Sequence, residues 1–358
     1  MMGKGSATIY DVADVACVSI ATVSRVLNGS AQVRPETRDR VDAAVKKLNF
    51  VPSPAARSLS GGRRWSIGLA YPLEEDRHSA FPIREDDASV LYADGIVRGA
   101  SWRAAELGYS LFACAVQIEN GSASNPVHHL YGAVDGIILS DRVVNNVGAM
   151  RIAKRMHSVH LSGSGKSKFG GTIRVDNDSG IEAVVRHLVD VHGVKDFGFV
   201  GGNPDSSDAA ARFKAFESSL NTCGGVLRPE NFLRGDFSLS RAEEAIDLRT
   251  ANTSALPEVF VCANDQMAVG VVRALLRSGR KVPRDVLVTG FDDIAAASQS
   301  QSNLTTVSQP SFELGVAAVN MVVGLLNKQI EIGTVEILPT QLIVRESCGC
   351  GDSGLDLA

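Results

Sequence analysis

Between Thr8 and Asn28 the apolar positions recur at helical spacing in two short runs. Val12, Val15 and Ala16 form one stripe, and Val23, Val26 and Leu27 form a second, with Cys17-Val18 interrupting them. Thr8 followed three residues later by Asp11 has the form of a capping box, and Ser19 that of a second N-cap. Two amphipathic helices this short cannot bury their apolar faces alone. A third element must cover them: Pro35 stands at its first helical position, and Val41, Ala44, Val45 and Leu48 form its apolar face. The expected N-terminal domain is an all-α head with a tight turn between its first two helices.

After Pro52-Ser53-Pro54 the segment 55–60 reads as a helix too short to persist alone in water. From Trp65 short apolar runs alternate with helical ones. Strands are expected at 66–70, 109–114, 134–139, 159–161, 196–200, 258–262 and 286–289, and helices at 96–107, 181–191, 209–220 and 266–277. Such alternation predicts parallel sheets wound on both faces, and its length is too great for one core, so two α/β lobes are expected.

Ligands of open α/β sheets bind beyond the carboxyl ends of the strands, and between two lobes that region becomes a cleft. The polar residues directly after the strands are therefore candidates. Asn264 and Asp265 follow one strand, Asp292 and Asp293 another, and Ser162 a third; Arg212 lies in the 209–220 helix and Phe237 follows Gly235-Asp236. An amide, a carboxylate, a guanidinium and an aromatic face suit a polyhydroxylated ring. Asp265 also fits an N-cap of the next helix, and Asp293 a structural role.

In the head, the second helix leaves one face free, carrying Ile20, Ala21, Thr22, Ser24, Arg25 and Asn28. Short hydroxyls and amides around one arginine suit a helix entering the DNA major groove. They equally fit a three-helix packing unit with a polar solvent face. Charge changes that balance. Residues 1–65 hold ten Lys/Arg against five acids, leaving 26 basic and 35 acidic residues in the remainder, so a net −4 chain carries a basic head on an acidic body. No stretch approaches a membrane span, no signal-like run opens the chain, and the six cysteines are scattered apart from Cys348-Gly349-Cys350. A cytoplasmic setting with unpaired thiols is expected. With no His or second Cys pair adjacent in sequence, Cys348 and Cys350 read as part of a plain tail.

The segments IYDVADVACVSIATVSRVLN, RPETRDRVDAAVKKLNFVPSPAARSLSGG, VFVCANDQMAVG, VTGFDDI, LTTVSQP and LIVRESCG, in this order, resemble the LacI/GalR family of transcriptional regulators nearly end to end. The resemblance implies a helix-turn-helix DNA-binding head at 1–52, a hinge helix and linker at 53–64, and a two-lobed, periplasmic-binding-protein-like effector-binding and dimerisation domain at 65–346 with two doubly wound parallel sheets. Lobe 1 is expected at about 65–163 and 294–325, lobe 2 at about 164–293 and 326–346, and a tail at 347–358. It adds Thr8, Tyr10, Ser19 and Thr37 to the DNA contacts, and makes Leu59 a minor-groove wedge beside Ala56 and Arg57. It places effector contacts at Arg212, Phe237, Asn264 and Asp292.

The function implied is a repressor of transcription, with no enzymatic role and no cofactor. Its expected partners are a near-palindromic double-stranded operator, a second copy of the chain and a small-molecule effector. A sugar or sugar derivative is the favoured effector, with a purine or nucleoside corepressor as the alternative. The chain departs from the family in three places. Cys17 stands where the turn usually has Gly; 74–87 forms a longer, acidic loop; and no leucine-heptad helix follows Glu346, so a dimer is expected. No P-loop, nucleophile elbow or zinc-spaced histidine set supports an enzyme. A transport solute-binding protein would share the lobes but not the basic head.

Overall fold

The computed structural model describes residues 7–27, 32–50, 63–73, 88–119, 122–123, 126–143, 147–162, 167–252, 255–299 and 303–351. The chain divides into two compact units, 1–65 and 66–358. In the first, α1 (Ile9–Ala16), α2 (Ile20–Leu27) and α3 (Pro35–Leu48) close on Val12, Ala13, Ala16, Val23, Val26, Val41 and Ala44. Val15, expected in the stripe, is instead exposed, because Ala13 occupies the buried position beside Val12. The capping box forms: Asp11 accepts from the Thr8 backbone N–H and hydroxyl, both at 2.7 Å, and this holds its carboxyl below the usual range. Cys17 ends α1 in the left-handed region, at φ 50°, where the turn reverses the chain.

In the second unit, lobe 1 is built on β1 (Ser66–Leu73), α4 (Ala88–Glu106), β2 (Ser110–Glu119), β3 (Ser122–Ala123), α5 (Pro126–Leu130), β4 (Gly136–Leu139), α6 (Val147–Ala153), β5 (His157–Leu161) and β6 (Gly170–Val175). Lobe 2 follows with α7 (Asn177–His192), β7 (Asp196–Gly201), α8 (Ser207–Cys223), β8 (Val226–Arg234), α9 (Leu239–Asn252), β9 (Val259–Cys262), α10 (Asp265–Arg277), β10 (Leu287–Thr289), α11 (Ala295–Gln299) and β11 (Thr306–Ser308). The chain returns to lobe 1 for α12 (Ser311–Leu326) and β12 (Val335–Leu338), then to lobe 2 for β13 (Gln341–Ile343) and a 3-10 turn, Glu346–Cys348.

The lobe 1 sheet runs β12-β6-β5-β4-β1-β2-β3, parallel except for the β2–β3 hairpin. Ile137 and Leu139 pack towards α5 and α6, while Gly136 sits against Val322 of α12. Helix α12 approaches α4 so closely that a Cβ on Gly99 or Gly315 would strike the facing backbone. Lobe 2 carries a parallel sheet, β10-β9-β7-β8, between α7 with α8 and α9 with α10. Strands β11 and β13 pair antiparallel beside α7. No helix among the described residues is long and apolar enough to cross a membrane.

The lobe boundaries differ from those expected. Residues 170–175 and 335–338, expected in lobe 2, hydrogen-bond to each other as β6 and β12 at the edge of the lobe 1 sheet, and 295–308, expected in lobe 1, pack Ala297, Leu304 and Val307 into the lobe 2 core. The crossings therefore lie at Asp176, at 309–310 and at 339–340. Two of them are tied together: the Asp176 N–H donates to Leu338 O, and Thr340 Oγ1 donates to Asp176 O, both at 2.9 Å. The segment beginning at 347 was expected to be a tail, but Ser347 and Cys348 are fully buried against β10. Ser347 Oγ donates to Val288 O at 2.6 Å and accepts from the Thr305 N–H at 2.8 Å.

A side chain in the left-handed region carries a backbone penalty that glycine does not. Cys17→Gly should therefore stabilise the head by about 1 kcal/mol. The urea midpoint of the head's helical signal would rise; an unchanged or lower midpoint would show that the turn is not strained.

Candidate functional site

The head presents the face the sequence predicts. Val23 and Val26 turn inward, leaving Ile20, Ala21 and Arg25 exposed, with Thr22 and Ser24 half-buried beside them. Ser19 Oγ accepts from the Thr22 N–H at 3.2 Å and shares a 2.9 Å hydrogen bond with Thr22 Oγ1, so these two hydroxyls fix the start of α2. Tyr10 is 65% exposed on α1, and Thr37 lies half-buried in the first turn of α3. Asn28, Ala56, Arg57 and Leu59 fall outside the described residues.

The second site is the cleft between the two lobes of the second unit. Its volume is about 110 Å³, room for several waters and hence for a small ligand. Lobe 1 contributes an apolar wall of Leu69, Tyr71, Pro72, Ile96 and Val97, and the polar turn Ser140-Asp141-Arg142 after β4. Lobe 2 contributes Ser206, Asp208, Arg212, Phe237, Asn264 and Asp292, and Gln309 comes from a crossing segment.

Arg212 is 3% exposed and spans the floor of the cleft. Its Nε donates to Asn177 Oδ1 at 2.9 Å and its Nη1 to the Ala263 carbonyl at 2.5 Å; Nη1 also lies 3.4 Å from Asp292 Oδ1. The guanidinium stacks 3.8 Å above the Phe291 ring centroid. Gln309 Nε2 donates to the same Asp292 oxygen. Burial pushes the Asp292 carboxyl up to about 6 against the opposing pull of Arg212 and Gln309. Asp292 holds φ 122° and Phe237 φ 62°, backbone that a side chain rarely adopts, as is common where a site is held in a set geometry. The outer end of the Phe237 ring packs against Gly202, where a Cβ would collide with it.

Asn264 caps α10: its Oδ1 accepts from the Met267 N–H at 3.0 Å, leaving Nδ2 as the donor for a ligand. Asp265 does not cap this helix, because Asn264 is the extended residue before it and Asp265 is already helical. Asp265 is instead fully buried, accepting from Thr306 Oγ1 at 2.5 Å and the Ile294 N–H at 2.9 Å, and burial raises its pKa well above the usual range. Asp293 is structural, accepting from Arg345 at 2.7 Å.

Across the cleft, Asp141 accepts from the Ser206 and Ser207 hydroxyls at the start of α8, the latter at 2.8 Å. Burial, reinforced by Asp208, raises the Asp141 pKa, while the serine hydrogen bonds oppose that shift. Ser140 Oγ and Gln309 Oε1 are buried on this lining and find no hydrogen-bond partner among the described residues. Buried polar atoms are nearly always satisfied, so these two oxygens on one cavity are acceptors open to a polar ligand or water.

Comparison with known proteins matches residues 8–53 to the family of bacterial regulatory proteins, lacI family, and 185–348 to a periplasmic binding protein-like domain. The transcriptional regulator RegA of Clostridium saccharobutylicum is 31% identical over 347 residues, covering 95% of this chain and 98% of that protein. The chain belongs to the LacI family. The transcriptional repressor PurR of Pasteurella multocida is 29% identical over 344 residues, with the same coverage of 95% and 98%. Among solved structures, the Lac repressor dimer bound to operator and the anti-inducer ONPF superposes with a TM-score of 0.74 at 28% identity, covering 96% of this chain and 99% of that one. This LacI-family member is thus a DNA-binding transcriptional regulator with an effector-binding domain.

Of the five residues expected to touch an effector, the fold brings Arg212, Phe237, Asn264 and Asp292 onto one lining. Ser162 is absent from it. The chain turns left-handed there, at φ 71°, and Ser162 Oγ pairs with Ser207 Oγ at 3.2 Å as part of the interlobe contact. Sequence reasoning missed Asp141, Ser206, Asp208 and Gln309. Ser140 and Asp141 are the first two residues after β4, so the strand-end rule that found the others also points to them.

Replacing Asn264 by serine keeps an N-cap oxygen but removes the amide donor. Asn264→Ser should leave thermal stability within about 0.5 kcal/mol while weakening effector binding at least tenfold. Calorimetric titration beside a thermal melt checks this; equal loss of both would make the residue a cap alone.

Proposed function

We propose that this LacI-family protein is a dimeric repressor whose two heads read the half-sites of a near-palindromic operator, with operator affinity set by a sugar or sugar derivative in the interlobe cleft. The α2 face supports the first part: one exposed arginine stands among small residues on a capped, rigid helix in a basic head, as major-groove readout requires. Tyr10, Thr8, Ser19 and Thr37 supply phosphate contacts, and Ala56, Arg57 and Leu59 the minor-groove contacts of the hinge.

The unsatisfied Ser140 and Gln309 oxygens carry the effector reading. Together with Arg212, Asn264 and Asp292 they offer donors and acceptors around a ring, and Phe237 offers an apolar face for it to rest on. The apolar lobe 1 wall favours a second reading, a planar purine or nucleoside lying between that wall and Phe237. A thermal-shift panel of sugars and nucleobases separates the two. In either case a ligand that prefers one lobe arrangement shifts its population, and operator affinity follows.

Selection of genomic fragments by the purified protein at two salt concentrations tests the DNA reading. A recovered palindrome is expected, with affinity that falls steeply as salt rises. Arg25→Ala should lower the ratio of specific to random DNA binding by at least tenfold, about 1–3 kcal/mol; an unchanged ratio would remove Arg25 from base readout.

A pH titration tests the role of Asp292. Its folded pKa of about 6 lies above the usual carboxylate value, so its contribution to stability is complete below about pH 4 and is lost as pH rises through 6. Ligand hydroxyls need the ionised acceptor, so effector affinity should fall as pH drops from 7.5 through about 6. Asp292→Asn should flatten that profile; a pH-dependent affinity that persists in the variant would assign it to another group.

A further inference from the structure

Beside the start of β10, the edge strand of the lobe 2 sheet, the fold gathers four side chains from two segments distant in sequence. His187 and His192 lie in the last two turns of α7, and Cys348 and Cys350 flank Gly349 after the C-terminal 3-10 turn. His187 Nε2 lies 3.4 Å from Cys348 Sγ and 3.5 Å from Cys350 Sγ, and His192 Nε2 lies 3.3 Å from Cys350 Sγ. All four ligand atoms fall within 4.8 Å of one another. We propose that His187, His192, Cys348 and Cys350 form a tetrahedral Cys2His2 site for a thiophilic divalent metal, with Zn²⁺ as the fitting ion.

The geometry carries this assignment. Zn–S bonds of about 2.3 Å and Zn–N bonds of about 2.0–2.1 Å at tetrahedral angles place neighbouring ligand atoms about 3.3–3.8 Å apart. The three N···S separations already match, and small side-chain rotations bring the remaining edges into range. Both histidines point the same ring nitrogen at the sulfurs, and their rings meet edge to face with centroids 5.1 Å apart.

The cysteines are held in place before any ion binds. Ser347 is hydrogen-bonded to β10 and to Thr305, and Gly349 takes φ 93°, which brings the flanking sulfurs to one side. A Cβ on Gly349 would sit 3.5 Å from the His192 ring. The C-terminal end of α7 adds the negative pole of its dipole, which favours a cation. Two thiolates and two neutral imidazoles in a tetrahedron select zinc over magnesium or calcium, and binding releases the two thiol protons to solvent. Four protein ligands leave no open position, so the ion is structural. It would fasten the end of α7 to the segment that holds β10, the edge strand of the lobe 2 sheet.

Titration of the reduced full-length protein with Co²⁺ tests the site. The expected result is one ion per chain, with the intense visible bands of tetrahedral cobalt and a thiolate charge-transfer band, both abolished by Zn²⁺. A hundredfold excess of Zn²⁺ over its Kd should raise the thermal midpoint by about 5–10 °C. Cys350→Ser and His192→Asn should lose the bands and the shift, while Cys223→Ser, an exposed cysteine elsewhere, keeps them. A pale six-coordinate spectrum in the wild-type protein, or equal uptake by Cys350→Ser, would overturn the proposal. The wild-type spectrum decides even if a variant fails to fold.

Discussion

The cleft of this protein depends on one buried cation. Arg212 reaches from α8 to the start of α7 through Asn177, to the end of β9 through the Ala263 carbonyl, and to the turn after β10 through Asp292, with Phe291 beneath its plane. Only a planar guanidinium has the donors to serve three directions at once and a face to stack; a lysine would supply a single point. Removing it would leave Asp292 buried beside no cation, a change that costs about 3–5 kcal/mol in comparable pairs. The arrangement also keeps Asp292 aimed at the cavity despite its unfavourable backbone. The polar groups that meet a ligand are thereby held before it arrives, which lowers the entropy of binding that must be overcome.

The same edge of lobe 2 meets lobe 1. Asp141 sits at the start of α8, where the helix dipole and the Ser206 and Ser207 hydroxyls favour its negative charge, while burial disfavours it. Ser162 adds a hydroxyl pair to Ser207. The contact that brings the lobes together thus shares Asp141 and Ser206 with the cavity lining. A ligand in the cleft that touches these residues would meet the interlobe contact itself. The hydrogen bonds at Asp176 hold two of the three crossings between the lobes side by side.

Much of this was legible in the sequence because its signals are local. The head follows from caps and helical stripes that close within 40 residues or so, and only Val15 faces the wrong way. The cores of lobes 1 and 2 follow from apolar runs such as Val259–Cys262, which is buried throughout. What escaped notice is held by distant pairings. Strand β8 has an exposed, charged pattern with Pro229 and Glu230 inside it, as an edge strand can. Strands β6 and β12 look like loop ends until each supplies the other's hydrogen bonds, and this shifted the lobe boundaries. Ser162 was read as a ligand contact because it follows a strand, whereas its left-handed backbone directs it to Ser207. Cys348 and Cys350 look like tail residues because their histidine neighbours lie 161 and 158 positions earlier.

The most direct test of an effector-controlled operator switch is reciprocity. Effector affinity should be measured by calorimetry for the free protein and for the protein saturated with its operator, alongside operator affinity with and without effector. Linkage requires both ratios to be the same factor, and about 5–150-fold is usual for such coupling. An effector affinity that is the same with and without operator would mean that the cleft and the head act independently.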